Sequence, residues 1–304
     1  MRSFVIGFCL IVTYLTFSCS IYAGNELTTN KEDTMVMPET IIYADLFIRN
    51  FKQCRVELYV NGIPVGRAGG GMQPYVATPT PEFLLDGENK LEVILGAGST
   101  PATSRLGEKS CAKAESGMEV VARLVRFIDG EMTGPGKGET LAEIVWTGEK
   151  EDAFPMTLNT TADLGKQFGE WKWQTAEKLT LDEATINSAI EFIQMIQDNY
   201  SKCNPEEIVK FAKFKHEEAV RSYPAYGDID FNEMFIEQLK EMSQHPQWKP
   251  DDLPREEYDL RLVADGRMIE TISKEWRPII RMSDGNFGYP MMIGRIDGKW
   301  QILR

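Results

Sequence analysis

His216 and His245 are the only imidazoles in this 304-residue chain. A histidine-based nucleophilic centre is therefore excluded from everything before position 216. His216 stands among Lys215, Glu217, Glu218, Arg221 and Tyr223. One reading makes it a general base, because imidazole titrates near neutrality. The preferred reading makes it a surface or boundary histidine beside a carboxylate of its own helix. His245 precedes Pro246 at a helix end, where a cationic ring suits the dipole. Asp228 and Asp230 have the spacing of an acid and base pair, but Asp230 occupies a helix-cap position and Asp228 follows the Tyr226-Gly227 turn. His216 and Asp228 are thus candidates of second rank, and no catalytic residue is assigned. Gly69-Gly70-Gly71 lacks the following Lys-Ser/Thr of a phosphate-binding loop and reads as a hairpin loop. Phe211, Phe214, Trp276 and Tyr289 form a possible apolar pocket, with ordinary core as the alternative.

Five cysteines are present, and no Cys/His spacing suits zinc, so neither metal nor cofactor is expected. Cys9 and Cys19 fall in the first residues. Of the others, Cys54 and Cys111 share one β-rich segment and are the expected disulfide, leaving Cys203 free; the alternative is three unpaired thiols. In the chain-entropy model such a bridge stabilises by about 4 kcal/mol.

The cysteine argument presumes an oxidising compartment, and the first residues supply it. Arg2 precedes an unbroken apolar run from Phe4 to Leu15, and Ile21-Tyr22-Ala23-Gly24 resembles a cleavage site. Residues 1–23 read as a signal peptide, too short to span a bilayer. The protein is expected to be exported, periplasmic or extracellular. The alternative is a lipoprotein acylated at Cys19, although Thr16-Phe17-Ser18 fits a lipobox poorly. The formal net charge of −13 becomes one unit more negative without Arg2. Such a surface repels phosphate backbones, so nucleic acid is not an expected partner, and no later apolar stretch spans a membrane. Cationic partners, or simple solubility, fit better.

The elements that position these residues follow from pattern. Residues 24–39 are polar and read as a flexible tether. Residues 40–165 read as an all-β sandwich: Leu46, Ile48 and Val56–Val60 alternate or nearly so, Asn61-Gly62 marks a hairpin, and strands follow at Leu91–Leu95, Val120–Phe127, Leu141–Trp146 and Phe154–Leu158. The boundary is placed between Leu164 and Thr180. Residues 178–304 read as α+β. A capping box at Thr180-Leu181-Asp182-Glu183 precedes the stripe Ile186, Ala189, Ile190, Ile193, Ile196 and Tyr200. Asn204-Pro205-Glu206-Glu207 opens a second helix, and Asp230-Phe231-Asn232-Glu233 a third. An antiparallel meander ends the chain, with strands at Tyr258–Ala264, Met268–Ile272, Ile279–Met282, Tyr289–Ile296 and Trp300–Leu303.

In that order of elements, and in the ending Asp297-Gly298-Lys299-Trp300-Gln301-Ile302, residues 178–304 resemble the cone-shaped α+β fold of the nuclear transport factor and SnoaL-like superfamily. The resemblance implies a pocket between helices and sheet, used for catalysis in some members and binding in others. Val60–Gly66 and the stretch Leu84–Val93 resemble β-sandwich accessory domains of exported carbohydrate-active proteins, which implies architecture only. The functional expectation is a non-catalytic exported protein that binds a partner protein or ligand, of immunity or inhibitor type in one version. One alternative is a small-molecule enzyme using His216 with a carboxylate in the C-terminal pocket. Another is a carbohydrate-binding module using Tyr43, Tyr59 and Tyr75.

Overall fold

The computed structural model describes residues 40–51, 54–96, 114–128, 131–148, 152–224, 229–246, 248–283 and 288–304. Residues 1–39, Cys111 and Asp228 lie outside them, and with them the leader, the tether and one catalytic candidate. The chain is α+β, with antiparallel sheets and three long helices.

The first eight strands are β1 (Thr40–Arg49), β2 (Arg55–Val60), β3 (Ile63–Gly69), β4 (Tyr75–Pro79), β5 (Glu88–Leu95), β6 (Glu119–Ile128), β7 (Glu139–Thr147) and β8 (Met156–Asp163). They form two four-stranded sheets, ordered β4-β1-β6-β7 and β3-β2-β5-β8. The β2–β3 turn places Asn61 at φ 52° and Gly62 at φ 74°, the left-handed pair that matches strand twist in a tight hairpin. Alternate residues of both sheets share one core: Ala44, Leu46 and Ala122 from the first, Val56, Leu58 and Val93 from the second. The Gly69–Gly71 loop follows β3, and Gly69 is obligatory, since a Cβ there would lie 2.1 Å from the Cys54 carbonyl oxygen.

A one-turn helix α1 (Lys172–Thr175) leads to α2 (Glu183–Ser201), α3 (Pro205–Ser222) and α4 (Phe231–Ser243). The α2 cap is Asp182, whose carboxylate accepts from the Thr185 N–H at 2.7 Å. Thr180, expected to cap, instead lies 3.4 Å from that carboxylate, because the helix begins two residues later than a Thr180 cap requires. Asp230 caps α4 through the Asn232 and Glu233 N–H groups, and Pro205 opens α3.

Strands β9 (Tyr258–Val263), β10 (Met268–Ser273), β11 (Ile280–Arg281), β12 (Gly288–Tyr289), β13 (Met291–Ile296) and β14 (Lys299–Ile302) complete the chain. Four pair in the order β14-β13-β10-β9, and β11 pairs with β12. The single strand expected over Tyr289–Ile296 is interrupted at Pro290, which has no N–H to donate to a ladder. This larger sheet is buried on both faces. Leu260, Leu262, Ile269, Ile293 and Ile302 pack with the helices. Val263, Met268 and Met292 join the core of the first eight strands. On that second face Arg261 sits directly across from Glu270. No helix among the described residues is long and apolar enough to cross a membrane.

Candidate functional site

The connection between β8 and α2 is pinned at both ends. Asp86 accepts backbone N–H groups from Gln167 and Phe168 at 2.8 Å and Gly169 at 3.2 Å, and these bonds hold its carboxyl below the usual carboxylate range. Trp171 then turns inward, only 1% exposed, and its indole N–H donates to the Leu84 carbonyl at 2.5 Å. Trp173 donates to the Glu82 carbonyl at 3.3 Å.

Between this connection and α3 lies a cleft of about 290 Å³, lined by Glu170, Trp171, Lys172, Thr175, Phe214, Glu217, Glu218 and Arg221. Its floor is an interlocked charge cluster. Glu218 accepts the Lys172 N–H at 2.6 Å with one oxygen and Arg304 Nη1 at 2.6 Å with the other. The Arg221 guanidinium lies 3.9 Å from the Trp171 ring centroid and donates to the Glu170 carbonyl at 2.9 Å. Arg304 approaches the same ring at 5.3 Å and donates through Nε to the Glu82 carbonyl at 3.0 Å. On the rim, Lys172 holds its ammonium 5.2 Å from the Phe214 ring centroid. Glu217 is 53% exposed in its side chain and lies 3.6 Å from Lys213.

A second polar cluster is closed. Glu57 on β2 is fully buried and accepts from Arg261, from Arg67 at 3.0 Å and from the Tyr59 hydroxyl at 2.8 Å. Arg67 reaches Glu270 at 2.5 Å. Burial works against the Arg67 cation, but Glu270 and Glu57 outweigh it and raise its pKa. Arg55, Arg67 and Arg261 all place their guanidinium groups 4.7–5.6 Å from the Trp276 ring centroid.

His216 is not at the surface beside a helix carboxylate, as expected, but 7% exposed at the α3–α4 seam. The reason is α4, which covers that face: His216 Nδ1 lies 2.8 Å from Asn232 Oδ1, and Phe235 packs against the ring at 5.8 Å. The amide oxygen can only accept, so Nδ1 carries the proton. Burial is the main cause that pushes His216 down to about 4, with Lys215 adding to it and the Asn232 bond opposing. The nearest hydrogen-bond partner is an amide, not the carboxylate that a general base needs for orientation. His245 follows α4, its N–H donating to Met242 O at 3.0 Å.

The four pocket candidates are dispersed. Phe214 lines the cleft. Phe211 packs edge-on to Phe192 at 5.3 Å, Tyr289 packs on Phe235 at 5.2 Å, and Trp276 belongs to the arginine cluster. Of the three tyrosines, Tyr59 is 2% exposed and Tyr43 stands edge-on to Phe127 at 5.5 Å, so they form no shared exposed platform. Cys203 is a free thiol whose Sγ lies 3.7 Å from Leu239 O. Cys54 is 1% exposed, its expected partner Cys111 lies outside the described residues, and no two described cysteines form a disulfide. Among the described residues no three His, Cys, Asp or Glu side chains gather as a metal site. Glu170 and Lys172, which line the cleft, and Arg304, which pairs with Glu218 beside it, carry no signal in the sequence, because they come from a connection and from beyond the last strand. No protein-family model, curated protein or solved structure matches this chain.

Proposed function

We propose that this is an exported binding protein, a β-sandwich built onto a cone-like α+β unit, whose junction cleft receives a cationic segment of a partner protein. Export rests on the Phe4–Leu15 run and the site after Ala23. The two-unit architecture rests on the paired sheets of β1–β8 and on three helices followed by a meander. Binding rests on one observation. The cleft's inner cations are already engaged, Arg304 by Glu218 and Arg221 by Trp171 and the Glu170 carbonyl. Along the rim stand the exposed Glu170 carboxylate, the Phe214 ring under Lys172 and the Glu217 carboxylate 3.6 Å from Lys213, exposed contacts that a partner's cation can displace. Lys172 over Phe214 displays the recognition mode within the chain itself, an ammonium held by a ring face. A partner's Lys or Arg would replace it and gain the flanking carboxylates. An inhibitor or immunity protein for a basic partner is one concrete form.

Calorimetric titration with an oligo-arginine peptide tests the reading. Binding should weaken with salt and fall by roughly fivefold in Glu170→Lys and in Phe214→Ala, the scale of one exposed ion pair or cation–π contact. Glu183→Lys makes the same charge change on α2, away from the cleft, and should stay within about twofold of the parent, as distant independent sites do. Equal losses in Glu170→Lys and Glu183→Lys, with none in Phe214→Ala, would reduce the effect to net charge and remove the cleft from it.

A further inference from the structure

Four of the cleft residues share one face of α3: Phe214, Glu217, Glu218 and Arg221 follow at three- and four-residue spacing. The first and last of them stand about 10 Å apart along the helix axis. At one end the Phe214 ring already holds an ammonium, that of Lys172, with Glu217 beside it. At the other end stands the Arg221 guanidinium. Between them Glu218 is committed, one oxygen to the Lys172 N–H and the other to Arg304.

Arg221 is fixed in place with most of its donors left over. Its guanidinium lies 3.9 Å from the Trp171 ring centroid, and Nη2 donates to the Glu170 carbonyl at 2.9 Å. A guanidinium carries five N–H donors, and that bond takes one. The nearest carboxylate among the described residues is Glu218 at 3.8 Å, beyond hydrogen-bond length and committed elsewhere. The Arg221 side chain is 45% exposed and lines the cleft. Gly169 leaves the approach to Nη1 clear, since a Cβ there would stand 3.4 Å from that nitrogen. The cleft therefore offers a ring and a carboxylate at one end and an oriented cation at the other.

We propose that the cleft takes the C-terminal basic residue of its partner: the Lys or Arg side chain lies on Phe214 beside Glu217, and the free α-carboxylate meets Arg221. The inference rests on the cleft reading above and specifies which part of the partner enters. One such residue, its side chain extended, spans the row with a hydrogen bond at one end and a ring contact at the other. The planar fork of Arg221 suits a carboxylate better than a point charge would. An acidic side chain is the other source of a carboxylate. In an extended segment, however, neighbouring side chains point to opposite faces, so an aspartate next to the basic residue turns away from the cleft. A volume of about 290 Å³ is at the low end for small-ligand sites, and it suits one residue rather than a passing strand.

The test is calorimetric titration of the intact protein with three probes: N-acetyl-triarginine as the free acid, the same peptide as its amide, and the amide extended by one aspartate. The free acid carries one positive charge fewer than the amide, so attraction to this acidic chain alone favours the amide. The free acid should nonetheless bind about fivefold tighter, the scale of a charge-assisted pair at a partly exposed site. The aspartate peptide should bind no tighter than the amide. Arg221→Gln should erase the preference and leave the amide within about twofold of its parent affinity, whereas Phe214→Ala should weaken both peptides alike. Free acid and amide binding equally, with Phe214→Ala still weakening both, would overturn this inference and leave the cleft reading standing. An aspartate peptide as tight as the free acid would move the carboxylate to a side chain and overturn the chain end. Binding by none of the probes would remove both readings.

Discussion

Arg261 and Glu57 are 204 residues apart in sequence and meet as a buried fork: Nη1 lies 2.9 Å from one carboxylate oxygen, and Nη2 lies 3.1 Å from each. Arg261 is 1% exposed and Glu57 not at all. The pair joins β9 to β2, so the sheet that supports the helices is ion-paired to the first eight strands. Burying both charges is costly, and the fork with its Arg67, Tyr59 and Glu270 neighbours offsets that cost only while every partner is present. Replacing Arg261 with Met should therefore destabilise by about 3–5 kcal/mol, because Glu57 is left charged and buried. Urea unfolding measures it. Glu57→Gln in the same chain should recover part of the loss, and it should do so in a single transition shared by β-rich and helical signals.

Trp171 carries the second prediction. Its ring is 1% exposed beneath Arg221 and Arg304, and its N–H is spent on Leu84 O. Trp171→Ala should cost about 3–5 kcal/mol, the usual range for a fully buried large aromatic. It should also loosen the connection, so that limited proteolysis cuts between Leu164 and Thr180 in the variant and is slow there in the parent. Equal cutting rates would mean that Trp171 does not hold the segment down.

Much of this fold is written locally. The stripe Ala189, Ile190, Ile193, Ile196 and Tyr200 is buried on α2 as its spacing implies, and Asp230 and Pro205 open their helices where their chemistry places them. Alternation at Tyr258, Leu260 and Leu262 marks β9, but it suggests one wet face through Asp259 and Arg261. That face is buried, because its partner Glu57 lies on a distant strand that no local period can reveal. His216 fails for a related reason. Ile208, Ala212 and His216 follow one another at a spacing of four, which is a buried stripe, yet an imidazole reads as polar until Asn232 on another helix supplies its acceptor. The cleft was the least legible, since only Phe214 among its lining residues carries a signal of its own.

The cysteine prediction is chemical. Cys54 is buried, and its expected partner Cys111 shares its β-rich segment, while Cys203 is a free thiol partly covered beside Leu239 O. Non-reducing peptide mapping should recover a Cys54–Cys111 cystinyl peptide and a Cys203 thiol. Alkylation of Cys203 in the native protein should be slower than in urea. A Cys203-containing disulfide peptide would exclude this pairing.

Acid sensitivity follows from His216. An unfolded chain binds a proton there near pH 6.5, whereas burial at the α3–α4 seam, aided by Lys215, pushes the folded value down to about 4. Between those values the unfolded state holds more protons, so stability is lost as pH falls from about 6.5 towards 4 and is fully present above that window. At pH 4.5 the loss through this residue should be about 2–3 kcal/mol. Other carboxylates titrate in the same range, so the comparison that isolates His216 is the difference between the parent and His216→Gln. Glutamine can still donate to Asn232 Oδ1 but cannot take up a proton. The variant should therefore lose less stability than the parent between pH 7 and pH 4.5, even if it begins slightly less stable because its shape fills the seam less well. Identical pH profiles would mean that the imidazole opens to solvent and titrates as an exposed histidine does. The hydrogen bond to Asn232 and the ring contact with Phe235 would then not hold α4 closed over it in solution.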